Sequence, residues 1–184
     1  MDPTGNDLSP AAAAAALKNV ESAERRSHAL GFSALAGTQL VLWGGLWLVC
    51  DTAIQFGPPW APVVWAPGVL IGSIGSVILS RSHGGSLDPR RALSFAVLIA
   101  FVNLIATGLR ITAPADMTFL VSALVACAYI MTGIWRSGRL GVIGVFLLVV
   151  TAAGWWFARP WFALWMGVAG GGTLILTGLW MRRL

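Results

Sequence analysis

At 184 residues the chain is 57% hydrophobic and only 10% charged, where water-soluble domains carry roughly 25% charged residues. A soluble globule of this make-up would expose far too much apolar surface. The formal net charge of +5 does not point to nucleic acid, because the basic residues stand at the ends of apolar runs, where they act as topology signals and head-group anchors. The composition reads as a multi-spanning membrane protein. The expected partners are membrane lipid and either a membrane-protein partner or a second copy of the chain, with no nucleic acid.

Residues 1–10 are polar, with two prolines and a glycine, and are expected to be disordered. Asp2 and Asp7 occupy the place where a secretory signal is basic. The alanine run behind them leads into Lys18, Glu21 and Glu24 rather than a cleavage site, so the first span is expected to serve as an uncleaved insertion signal. Residues 11–30 are rich in helix formers and predict a helix that lies on the membrane surface or extends the first span into the cytoplasm.

Residues 31–184 predict an all-α membrane domain, a bundle of six transmembrane helices arranged as three helical hairpins. The spans fall at about 31–54, 62–80, 92–111, 117–135, 140–157 and 161–181. The last shows the pattern most plainly, with Trp161 and Trp165 at one end and Trp180, Arg182 and Arg183 at the other. Of the twelve Lys and Arg residues, only Arg110 and Arg159 fall on the side away from the N-terminus. The positive-inside rule then places both termini in the cytoplasm of a bacterial inner membrane, and an even span count agrees. Thr132-Gly133-Ile134-Trp135 and Thr177-Gly178-Leu179-Trp180 end the fourth and sixth spans alike, and Gly108 and Gly154 precede Pro114 and Pro160 at equal distance, which suggests an internal repeat of one hairpin.

Small residues mark certain helix faces as packing surfaces, among them Gly72 and Ser76 in the second span and Gly167 and Gly171 in the sixth. Asn103, Thr107 and Arg110 share a face of the third span, while Thr118, Ser122, Tyr129 and Thr132 share one of the fourth. Polar groups inside a bilayer need partners or water, so these stripes should turn inward. Gln39, Asn103, Thr107 and Tyr129 are the candidate ligand-facing groups. Asp51, Arg110, Asp116 and Arg159 gather near the outer ends of spans, where they could form a rim of ion pairs. Trp60, Trp65, Trp155, Trp156, Trp161 and Trp165 fit an outer aromatic belt.

Catalysis has little support. His28 and His83 lie in cytoplasmic segments without metal-motif spacing, Asp51 and Asp116 lie across the membrane from both, and no catalytic residue, cofactor or metal ligand is indicated. Cys50 and Cys127 stand inside apolar runs and are expected to be buried free thiols.

The run L-V-L-W-G-G-L-W-L from Leu40 to Leu48 and the closing G-G-G-T-L-I-L-T-G-L-W-M-R-R from Gly170 to Arg183 resemble a loosely defined group of small six-span bacterial inner-membrane proteins of unassigned function. The resemblance implies a location and brings no site residues with it. The expected function is an accessory or self-associating membrane subunit without a catalytic site. The alternatives are a small-solute or lipid carrier that uses the inward polar faces, and a haem- or metal-linked enzyme built on the two histidines. A carrier should show a cavity reaching Asn103 and Thr107, and an interrupted helix.

Overall fold

The computed structural model describes residues 10–82, 89–135 and 138–183, without the side chains of 10–13, 21–33 and 91–92. The expected disordered start, the loop of His83 and Asp88, Arg136 and the side chain of His28 lie outside the described residues. Among those residues every regular element is helical.

Helix α1 (Pro10–Phe56) runs unbroken for 47 residues, so the amphipathic N-terminal stretch continues the first span. A 3₁₀ turn (Ala61–Val64) leads into α2 (Trp65–Ser82), followed by α3 (Pro89–Gly108), α4 (Pro114–Trp135) and α5 (Gly138–Phe157). The remaining segment changes helical type along its length. A 3₁₀ turn (Arg159–Trp161) and the single-turn α6 (Phe162–Trp165) give way to a π-helical stretch (Met166–Gly171) before α7 (Gly172–Arg182) completes it.

Five segments are long and apolar enough to cross a membrane: Ala34–Phe56, Ala61–Ser82, Pro114–Trp135, Gly138–Phe157 and Arg159–Arg182. The apolar part of α3, Leu93–Gly108, is shorter. Large apolar side chains cover the outer faces, Phe146 and Val149 among them, as lipid contact requires. Exposed Trp60, Trp156 and Trp161 ring one end, with exposed Trp135 and Trp180 at the other, the placing expected of interfacial tryptophans.

The packing is not that of three equivalent hairpins. The tightest seams join α4 to α5 and α1 to the last span, two segments at opposite ends of the chain. Both seams are built on missing side chains. A Cβ on Gly171 would stand 2.7 Å from the Gly44 carbonyl oxygen, and one on Gly37 would stand 2.7 Å from that of Gly178. The two pairs are spaced alike on both helices, so backbone meets backbone twice along one line. On α4 and α5, Gly133 meets the Gly141 backbone, and a Cβ on Gly144 would reach 2.6 Å from the Ile130 nitrogen. Close approach of this kind drives association where lipid supplies no hydrophobic force between helices. Leu147, Met166, Leu174 and Ala126 fill the core between the seams.

Helix α3 is different. Ala106 is buried, but Leu93, Val97, Phe101 and Leu104 are exposed, and the helix makes few contacts with α4. It closes at Arg110, which adopts a left-handed backbone (φ 52°). The Ile111 and Arg110 amides return to the Ala106 and Thr107 carbonyls at 2.8 and 3.2 Å, a Schellman cap with arginine where glycine is usual.

Candidate functional site

The thin packing of α3 leaves a cavity of about 740 Å³ between α1, α2, α3 and α4, with Leu174 of α7 also in its wall. Its lining is mostly apolar, from Val69, Leu98, Val102, Val121 and Val125, with the aromatic rings of Trp43, Trp47, Trp65 and Phe95. A few polar groups interrupt this lining: Asp51, Asn103, Thr118, Ser122, Tyr129 and Thr132. A concave apolar chamber with few convergent polar groups is the general form of a small-molecule site.

Asp51 stands apart from the other carboxylates. It is only 1% exposed, and its Oδ1 accepts a hydrogen bond from the Trp65 indole N–H at 3.2 Å. The helix explains its position. Because α1 continues past Asp51 to Phe56, the residue lies about a turn and a half inside the helix end and not on the rim. Trp43, Trp47 and Asp51 recur every fourth residue, so they share one face of α1. Opposite that face the last span passes closely: a Cβ on Gly167 would stand 3.2 Å from the Asp51 Cβ. Gly167 belongs to the π-helical stretch, and such widened turns recur at functional sites.

Helix α4 supplies the second polar wall. Thr118, Ser122 and Tyr129 form one stripe facing the cavity, and their hydroxyls donate no hydrogen bond to a described residue. Ser122 is 2% exposed and Thr118 9%, yet no fully enclosed side-chain polar atom among the described residues lacks a partner. These hydroxyls therefore have the cavity itself before them. Thr132 and Asn103 also line it, but donate to carbonyls of their own helices, Ala128 at 2.7 Å and Ile99 at 2.8 Å.

The other expected site residues are placed as follows. Gln39 lies outside the cavity, locked to α2: its Nε2 donates to the Ser76 carbonyl at 3.1 Å and its Oε1 accepts from the Ser76 hydroxyl at 2.6 Å. The Trp43 indole donates to that same hydroxyl at 3.2 Å. Thr107 is exposed and forms no part of the lining. Gly72 admits Leu46 and Trp43 of α1, and Gly167 and Gly171 admit the α1 backbone. These small faces are thus taken up within the chain.

The four-membered ionic rim is not formed. Asp116 pairs with Arg159 at 3.5 Å, and the Arg159 guanidinium lies 4.3 Å from the centre of the Trp155 ring. Both partners are well exposed, so the pair contributes at most about 1 kcal/mol. Arg110, whose backbone caps α3, makes no ion pair with a described residue, and Asp51 is drawn inward as described. Cys50 is buried, but Cys127 is exposed on the outer surface of α4 instead of packing inside. Among the described residues no cluster of three His, Cys, Asp or Glu side chains could hold a metal. The separation of His28 and His83 lies outside the described residues.

The polar face of α4 is visible in the sequence. The Trp43-Trp47-Asp51 stripe is missed there, although its spacing of four was the available signal. No family model, curated protein or solved structure matches this chain.

Proposed function

We propose that the chain is a six-span protein of a bacterial inner membrane, with both termini cytoplasmic, that takes a small, largely apolar solute or lipid into the cavity beside α3. The observation that carries this reading is the chamber of about 740 Å³, within the ~300–1,000 Å³ of drug-sized ligand sites. Its Thr118, Ser122 and Tyr129 hydroxyls on α4 donate to no described residue. The π-helical stretch of the last span supports it, since such widened turns recur at functional sites. The span count rests on α3: Leu93–Gly108 is about 24 Å long at 1.5 Å per residue. Arg90 and Arg110 at its ends can snorkel to the two surfaces.

The test is saturable binding of the neutral lipophilic dye N-phenyl-1-naphthylamine to the purified protein, with empty micelles as background. Ala128→Trp places an indole in the cavity wall and should weaken that binding at least ~10-fold, since it fills the chamber. Equal binding by both proteins, or none by the wild type, overturns the reading.

A second reading, an accessory or self-associating subunit, draws on α3 alone. Its exposed apolar residues could pack on a neighbouring protein as readily as on lipid. The small-residue faces of α1, α2 and the last span offer it no support, being occupied within the chain.

A further inference from the structure

Resting on the cavity reading above, we infer that the ligand is an organic monocation on an apolar body, held by the Asp51 carboxylate among tryptophans. The inference starts from what Asp51 lacks. It is buried in a membrane span, its Oδ1 takes one neutral donor from Trp65, and no ion pair joins it to a described residue. A carboxylate so placed is costly unless a cation compensates it or a proton neutralises it. Among the described residues no cation is paired with it: Arg159 pairs with Asp116 and also lies over the Trp155 ring.

The rest of the chamber selects the kind of cation. A small inorganic ion would need a close shell of oxygens, whereas the lining is mostly hydrocarbon and the volume far exceeds one ion. Trp43, Trp47 and Trp65 line the cavity with Asp51. Indole faces attract organic cations through the ring quadrupole, most strongly where water is excluded. The aliphatic wall of α3 and α4 accommodates the apolar body. Gly167 lies against the Asp51 Cβ, and Asp51 stands in the cavity wall, so the cavity is where a cation would meet the carboxylate.

The experiment compares two ions of one shape and opposite charge, tetraphenylphosphonium and tetraphenylborate, by calorimetry on the full chain in detergent with empty micelles subtracted. The phosphonium should bind at least ~10-fold more tightly than the borate. Asp51→Asn should lose that preference while binding of the neutral naphthylamine dye persists, and Asp51→Glu should retain it. Competition by dodecyltrimethylammonium against dodecylphosphocholine separates a free lipophilic amine from a lipid headgroup. Equal affinity for the two ions, or a preference that survives Asp51→Asn, overturns the inference. Should Asp51→Asn fail to fold, the comparison of the two ions on the wild type and on Asp51→Glu decides alone. Dye binding without charge preference sinks only this inference, whereas absence of all binding sinks the cavity reading as well.

Discussion

The two sides of this bundle are held by opposite means. On one side, α1 and the last span, and α4 and α5, meet through glycines with backbone against backbone. On the other, α3 stands off with its side chains largely uncovered and leaves a chamber behind it. In water such a helix would be driven inward by its apolar surface. In a bilayer the surroundings are as apolar as the core, so a helix without close-fitting partners has little reason to close a gap. Rigidity and emptiness can then coexist in one small domain, the seams fixing the walls and α3 leaving the space.

The comparison is broken most severely at the seam. Gly171→Leu forces a side chain into the Gly44 carbonyl and should cost about 3 kcal/mol or more, as overpacking against unyielding atoms does. Gly172, the next residue, has nothing within 4 Å of a Cβ, and Gly172→Leu should change stability by less than ~0.5 kcal/mol. Thermal unfolding of the two variants in one detergent checks this, and similar losses would mean that the seam is misplaced. A middle-sized effect is expected where the two sides join. Ser76→Ala removes the hydroxyl shared by Gln39 and Trp43 and should lower stability by about 1 kcal/mol. The Gln39→Leu, Ser76→Ala double variant should recover part of it, because the orphaned amide is gone. Strictly additive losses would contradict the clamp. The smallest effect has the opposite sign. Arg110→Gly relieves a left-handed backbone and should stabilise the end of α3 by about 1 kcal/mol, read as a higher Tm, whereas an unchanged or lower Tm would argue against the strained cap.

What the sequence made legible follows from what local pattern can encode. Apolar runs bounded by tryptophan and arginine placed the helices to within a few residues, and the polar face of α4 followed from helical spacing alone. The pairing of α1 with the last span was not legible. Many glycines could have faced many partners, and which ones meet is settled by the whole bundle. A rim position for Asp51 follows from ending α1 at Ile54, whereas the helix continues to Phe56 and sets the carboxylate further inside. The π-helical stretch had no clear signature either, since a run of glycines permits a widened turn without requiring one.

Helix α1 is about 70 Å long at 1.5 Å per residue, more than twice the ~30 Å thickness of the hydrocarbon layer. It carries no proline after Pro10, so one unbroken rod bears Trp43, Trp47 and Asp51 in its C-terminal part. Held to the last span at Gly37–Gly178 and Gly44–Gly171, the rod keeps that carboxylate at one depth.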